Sequence, residues 1–293
     1  MKKSILILGG TKFFGRHLTK MLVDAGHDVT VASRRPYEDL NVFYKQIDRQ
    51  DAIAVKKIAS NGWDVVFDQI CMNGSDAHIA VEAFSSNCRK YVVSSSIAVY
   101  GRQSCQYSSE GKFNPITYNQ SDIPTEDTYT LGKREAESIL CQAQDLSCIA
   151  VRFPIVLGTD DYTERLEAPI RAAIRTGKID CGSADLPLSV ISSKEAAAVL
   201  NWVGCTSTVT GSLNATSIGL VRPSDIVREV SRLSKRDIRP VENATPELKS
   251  ILNLSRDMSA DPSRAVKLGA PLTETWSWLS PLLNFYVQSA LAE

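Results

Sequence analysis

The chain opens MKKSILILGGTKFFGRHLTKMLVDAGHDVTVASRR, and this order of patterns leaves few folds open to it. SILIL is a short apolar run, GG a turn, FGRHLTKMLVDAG a helical pattern, and HDVTVAS a β-branched run that follows Gly26. Strand, helix and strand joined by such short turns form a β-α-β unit, with the strands parallel and the helix packed across them. Parallel strands are covered on both faces, so they read as unbroken apolar runs. DVVFD (64 to 68), YVVSSS (91 to 96) and CIAVRFPIVLG (148 to 158) are further runs of this kind, and GSLNATS (211 to 217) is a weaker one. Separated by helical segments, they predict an α/β fold with a doubly wound parallel sheet.

The alternation breaks after CIAVRFPIVLG. Residues 160 to 205 and 220 to 293 are therefore assigned largely to a second, mostly helical lobe, with the strand near 211–217 returning to the main sheet. A length of 293 residues has room for about two such units. Lysine plus arginine equals aspartate plus glutamate, 33 each, so no net field draws in nucleic acid or an anionic membrane. Seven cysteines without a CxxC pair or a nearby histidine read as reduced thiols of a cytoplasmic protein, not as a disulfide framework or metal site. The apolar run after Lys2 and Lys3 ends at Gly9, too short for a signal peptide, and no run reaches the ~18 residues of a membrane span.

GGTKFFG lies between the first strand and its helix, where a dinucleotide fingerprint belongs. That fingerprint needs glycine for the tight turn, for close approach of the pyrophosphate, and for helix–strand packing. Gly9 and Gly15 supply the first and third, while Lys12 stands at the middle position. A lysine is compatible there if its side chain turns outward and brings its ammonium toward phosphate. The second strand ends in VASRRP, with no carboxylate before Glu38 to meet ribose hydroxyls. Ser33 and Arg34, with Arg35 and Lys12, can instead hold a ribose 2′-phosphate, which favours NADP and leaves NAD possible. The alternative is that both arginines are solvated loop charges.

YTLGKREAE places Tyr129 and Lys133 at i and i+4, bringing a phenol and an ammonium onto one helix face for proton transfer. YVVSSSIAVYG ends a buried strand in serines, at the strand end where sites form in such sheets, and Ser96 is the candidate. Either motif alone is weak. Serines at strand ends commonly bond backbone, and a Tyr–Lys spacing of four arises readily by chance.

Together GGTKFFG, SRR, DRQD (48 to 51), WDVVFD (63 to 68), YVVSSSIAVYG, YTLGKREAE, VRFPIVLG and SRAVKLGAPLTETW resemble the extended short-chain dehydrogenase/reductase superfamily. The branch resembled is the NAD-dependent epimerase/dehydratase-like one with a GGTxFxG loop, over nearly the whole chain. The resemblance implies a Rossmann dinucleotide-binding domain at 1–159 and a smaller, mostly helical substrate-binding lobe at 160–293. It implies Ser96, Tyr129 and Lys133 as the catalytic set. Tyr129 would exchange a proton with a hydroxyl or carbonyl, Ser96 would bond the reacting oxygen, and Lys133 would also anchor the nicotinamide ribose. Cofactor contacts would come from Gly9, Thr11, Lys12, Phe13, Phe14, Gly15, Ser33, Arg34, Asp48, Arg49, Ser94, Tyr129, Lys133, Phe153 and Pro154. Of these, Asp48 and Arg49 would lie near adenine, and Phe153 and Pro154 near nicotinamide. No metal is implied. The activity implied is that of an NAD(P)-dependent oxidoreductase or epimerase/dehydratase on a small-molecule substrate such as a nucleotide sugar, with a homodimer formed through two helices beside the sheet.

The chain departs from the family pattern at Lys12, and again at SSKEAAAV, where relatives commonly carry an aspartate pair. Asp160, Thr163 and Arg165 fall where relatives begin the substrate lobe, so Arg165 either meets an anionic group or is a solvated charge. His17, His27 and His78 have no carboxylate or cysteine at ligand spacing and read as structural. Trp276 and Trp278, with Leu279, Leu282 and Leu283, read as a C-terminal helix that packs onto the lobe or, as the alternative, forms a subunit contact. Two other classes share this fold: a dinucleotide-sensing regulator without turnover, and an RNA-binding protein. The Ser-Tyr-Lys set counts against both, and neutral charge against the second.

Overall fold

The computed structural model describes residues 1–36, 42–103, 107–119, 127–182, 185–242 and 250–293. Glu38 and Cys105 lie outside the described residues. The first half of the chain runs β1 (Ser4–Leu8), α1 (Phe14–Asp24), β2 (Asp28–Ser33), β3 (Phe43–Gln46), α2 (Ala52–Ala59), β4 (Val65–Asp68), α3 (Gly74–Phe84), β5 (Tyr91–Ser96) and α4 (Thr128–Gln142). It continues through β6 (Cys148–Phe153), β7 (Ile155–Leu157), α5 (Glu167–Thr176), β8 (Lys178–Asp180), β9 (Val190–Ser192) and α6 (Ser193–Cys205). The chain then forms β10 (Gly211–Asn214), α7 (Pro223–Ser234), β11 (Arg239–Val241), α8 (Ser263–Lys267) and α9 (Thr275–Ala292).

A seven-stranded parallel sheet in the order β10-β6-β5-β4-β1-β2-β3 forms the centre. Alternate residues of each strand face opposite sides. Ile5, Ile7, Val29, Val31, Val65 and Phe67 pack with α1 and α6, whereas Leu6, Leu8, Val66, Tyr91 and Val93 pack with α2, α3 and α4. Each such large apolar side chain, fully withdrawn from water, contributes about 1.5–3 kcal/mol before entropy is charged. Strand order reverses between β1 and β4, and the crevice of a doubly wound sheet opens beyond the strand ends at that point.

Three features depart from the sequence expectation. CIAVRFPIVLG is two strands: Pro154 has no N–H to donate, so β6 stops at Phe153, and β7 leaves the main sheet to pair with β9. The short edge strand β3 was not expected, because FYKQ is mostly exposed and gives no apolar run. α6, expected with the second lobe, packs instead beside α1 on the main sheet through Ala196, Ala197, Val199, Leu200 and Val203. α5, α7 and α9 enclose an apolar cluster of their own, in which Ile170, Ile174, Val227, Val230, Leu279, Leu282 and Leu283 meet, whereas β10 and α8 stay with the main sheet. Trp278 is partly buried there and its indole N–H donates to Ser217 Oγ at 3.0 Å, but Trp276 is exposed and not part of the core. Among the described residues no helix is long and apolar enough to cross a membrane.

Candidate active site

The turn after β1 is held from behind. Gly10 has φ +72°, and a Cβ there would lie 2.6 Å from Ile7 Cγ2. A Cβ on Gly15 would lie 2.7 Å from Gly10 Cα and 2.4 Å from Gln69 Oε1, so glycine at 15 lets α1 close onto the turn. Thr19 Oγ1 donates to the Gly15 and Gly10 carbonyls at 2.9 and 3.3 Å. α1 starts at Phe14 with no capping side chain, and in its first turn the Gly15 and Arg16 N–H groups donate to the Lys12 and Phe13 carbonyls at 3.0 and 2.9 Å. Phe13 takes φ 51°, ψ −139°, a conformation seldom adopted by a side-chain-bearing residue, and its ring packs against Phe14 at 5.7 Å.

This turn borders a cleft of about 960 Å³. Along it lie Gly9, Gly10, Thr11, Lys12, Phe13 and Phe14; the end of β2 adds Ser33, Arg34 and Arg35, and Asp48 and Arg49 follow β3. The far end is lined by Ser94, Ser95, Ser96, Tyr129, Lys133, Phe153 and Pro154. Every site residue expected from sequence therefore borders one cleft, except Gly15, which packs behind it. Gln69, Ile70, Met72, Asn73 and Asp76, which follow β4 at the switch point, also line it and were not anticipated. The signal available was their place after a buried strand. Tyr162 was likewise missed.

At the β2 end, Ser33 Oγ donates to the Arg35 carbonyl at 2.8 Å, and Tyr44 and Gln46 of β3 bond the carbonyls of 33 to 35. The backbone is thus fixed while the Arg34 and Arg35 side chains stand exposed at the cleft rim. Arg49 is buried, with Nη2 2.7 Å from Asp68 Oδ2, and Tyr91 donates to the same carboxylate oxygen at 2.5 Å. Burial, with Asp68 next to it, pushes the Tyr91 phenol well above its ordinary value, so it stays a donor.

At the other end, α4 supplies Tyr129 and Lys133. Lys133 is buried, and its ammonium donates to the Cys71 carbonyl at 2.8 Å and the Ser94 carbonyl at 3.0 Å, locking α4 to the ends of β4 and β5. Its Nζ lies 5.9 Å from the Tyr129 ring centre. Tyr129 is 45% exposed, open to the cleft. Gly132 allows this approach, since a Cβ there would meet the Met72 carbonyl at 2.5 Å. Among the described residues Ser96 Oγ accepts from Ala98 N–H at 3.2 Å and has no acceptor for its own proton, while Ser94 Oγ is buried with no partner. Such an arrangement can hold an oxygen-bearing carbon against a flat ring, donate to the oxygen, and exchange a proton with it.

Asp127 caps α4, accepting from Thr130 N–H and Oγ1, each at 2.9 Å. Burial raises its carboxyl value, but those bonds and Arg256 at 3.9 Å outweigh it and hold the value below the ordinary one. A depressed folded value means that the cap stabilises fully above the unfolded value of about 4 and is lost as pH falls through the lowered one. Asp127→Ala is expected to cost about 1 kcal/mol in urea unfolding at pH 7, and the gap to wild type should close in acid. An equal gap at pH 7 and pH 2 would contradict this assignment.

His17 has a carboxylate partner that sequence spacing could not show: its Nε2 is 3.0 Å from Asp160 Oδ2. His27 Nδ1 accepts from the Lys3 N–H, a structural contact.

The family model for the NAD dependent epimerase/dehydratase family matches residues 5–184. The chain is 29% identical over 178 residues to the Chloroplast stem-loop binding protein of 41 kDa b of Arabidopsis thaliana, covering 55% of this chain and 44% of that protein. The match thus spans under half the length of that curated relative. Among solved structures, UDP-glucose 4-epimerase of Thermotoga maritima with UDP-glucose superposes with a TM-score of 0.74 at 16% identity over 99% of both chains. UDP-glucuronic acid 4-epimerase of Bacillus cereus, in complex with UDP-glucuronic acid and NAD, gives 0.74 at 15% over 99% of both. UDP-N-acetylglucosamine 4-epimerase of Methanobrevibacter ruminantium M1, in complex with UDP-N-acetylmuramic acid, gives 0.72 at 20% over 100% and 99%. At these identities the structural likeness is one of fold.

Proposed function

Since the chain belongs to the NAD dependent epimerase/dehydratase family, an enzyme family, we propose that it works on a hydroxyl- or carbonyl-bearing carbon of a nucleotide sugar with a nicotinamide dinucleotide, NADP in preference to NAD. The observation that carries this reading is the single cleft that joins the glycine turn, the arginines after β2 and the Ser96-Tyr129-Lys133 group. A dinucleotide suits the residues present: a helix N-terminus without a side-chain cap, a glycine-tight turn, and a Ser94 hydroxyl that is buried without a partner among the described residues. When bound, it supplies the hydride acceptor and donor. Ser96 bonds the reacting oxygen, Tyr129 takes its proton and returns it, and Lys133 holds the phenol and the ribose side of the site in place. The outcome is oxidation or reduction, epimerisation or dehydration. The ligands of the solved epimerases, UDP sugars and NAD, support the substrate class.

For NADP the support is chemical: Arg34 and Arg35 border the cleft, and no described carboxylate stands at the end of β2. Titration with NADPH and NADH, followed by nicotinamide fluorescence, is expected to give NADPH at least about tenfold tighter, with the advantage lost in Arg34→Ala. Equal affinities would remove the NADP preference. A second reading, RNA binding, is favoured by the chloroplast stem-loop relative. Against it, charge is balanced, and Arg228, Arg232 and Arg239 are each paired with an adjacent acid. Failure to bind either nucleotide, together with retention of a stem-loop RNA at physiological salt, would replace the enzyme reading.

A further inference from the structure

The loop between β7 and α5, Gly158 to Leu166, folds back over the glycine turn and joins it at successive points. Asp160 meets His17 of α1 at 3.0 Å and accepts from Ser193 Oγ of α6 at 2.8 Å. The Tyr162 ring lies under the Lys12 ammonium, 4.4 Å from Nζ to ring centre. Arg165 lies over the Phe13 ring, with Cζ 5.9 Å from its centre. Tyr162 and Arg165 both line the cleft beside the turn.

The posture of Arg165 is set by its own loop. Its Nε donates to Thr163 Oγ1 at 3.0 Å and lies 2.9 Å from Asp161 Oδ2, while Thr163 Oγ1 donates to Asp161 Oδ1 at 2.6 Å. These contacts use the inner nitrogen. The two terminal nitrogens have no partner among the described residues. An arginine held by Nε against a carboxylate, and lying along an aromatic face, presents its outer fork at a fixed angle, which suits phosphate oxygens.

The turn itself creates the need for such a cation. With Lys12 in place of the middle glycine, a diphosphate cannot approach the backbone as closely, and the Lys12 ammonium is drawn toward Tyr162. We infer that Arg165, pre-set by Asp161 and Thr163, is a ligand of the diphosphate bound at the glycine turn, and that with Lys12 it forms a two-cation clamp in place of the close backbone approach. This rests on the reading of the cleft as a dinucleotide site. The diphosphate is assigned to the dinucleotide and not to a nucleotide-sugar substrate, because the loop makes its contacts with the glycine turn and α1.

Calorimetric titration of wild type, Arg165→Gln and Arg165→Lys with NADPH, NADH, ADP-ribose and UDP separates the possibilities. Arg165→Gln is expected to weaken the tighter-binding nicotinamide dinucleotide and ADP-ribose about ten- to a hundredfold, with UDP changed less than about twofold. Arg165→Lys, which keeps the charge and loses the fork, should recover only part. Unchanged dinucleotide affinity in Arg165→Gln would overturn the inference. Loss of UDP affinity with dinucleotide affinity intact would also overturn it, moving the arginine to the substrate's diphosphate. Wild type that binds neither dinucleotide nor ADP-ribose would sink the cofactor reading itself, and the clamp with it.

Discussion

Tyr129→Phe is expected to lower turnover of any nucleotide sugar that the wild type converts by about a hundred- to ten-thousandfold, while dinucleotide affinity stays within about twofold. The change removes one oxygen from a side chain that is 45% exposed in the cleft and whose hydroxyl makes no hydrogen bond among the described residues. Stability should therefore be unaffected, and the loss should fall on kcat and kcat/KM alike, as for an interaction made only during proton transfer. Lys133→Ala is a less clean test. Its ammonium satisfies the Cys71 and Ser94 carbonyls from a buried position, so its removal also loosens α4 from the sheet. Steady-state kinetics beside a fluorescence titration of the same variant distinguishes the outcomes. A variant that keeps full turnover would take the proton-transfer role from Tyr129, and one that loses dinucleotide affinity would make the phenol a binding group.

Much of the sheet was legible in the sequence because parallel strands are buried on both faces. SILIL, VTVA, VVF and YVV read as buried parallel strands separated by helices, and all four lie in the one central sheet, whose strand order only the structure gives. What stayed hidden depends on partners distant in the chain. His17 and Asp160 lie 3.0 Å apart although nothing in their local patterns links them. FYKQ is a strand only because β2 offers it an edge, and α6 covers the main sheet although it follows the break in alternation. The catalytic candidates were found by spacing within one helix and by position at a strand end, both local properties. The cleft residues after β4 carry no motif of their own. Their role comes from topology, which the residues Gln69 to Asp76 do not encode by type.

Arg152→Met is expected to remove about 3–5 kcal/mol of stability, a large share of the ~5–15 kcal/mol typical of a domain. Arg152 is fully buried in β6 and bonds Glu137 of α4 through Nε, at 3.1 Å to both oxygens, and through Nη2 at 2.7 Å. Its other bonds run to Tyr100 Oη and the Glu110 carbonyl, each at 3.2 Å, and to the Phe113 carbonyl at 3.0 Å. Burial works against its charge, but Glu137 outweighs burial and holds the guanidinium above its ordinary value. Methionine would fill much of the space and leave the Glu137 carboxylate buried without its cation, the costliest way to break a buried pair. The damage should reach the site, because Glu137 also accepts from Ser95, next to Ser94 and Ser96 at the end of β5. Urea unfolding of Arg152→Met, Glu137→Gln and the double variant measures the coupling. The double variant should be more stable than the sum of the two single losses implies, since the second change removes the charge stranded by the first. Strict additivity, or a loss below about 1 kcal/mol in Arg152→Met, would mean that the pair is not what fastens α4, and with it Tyr129, to the serines of β5.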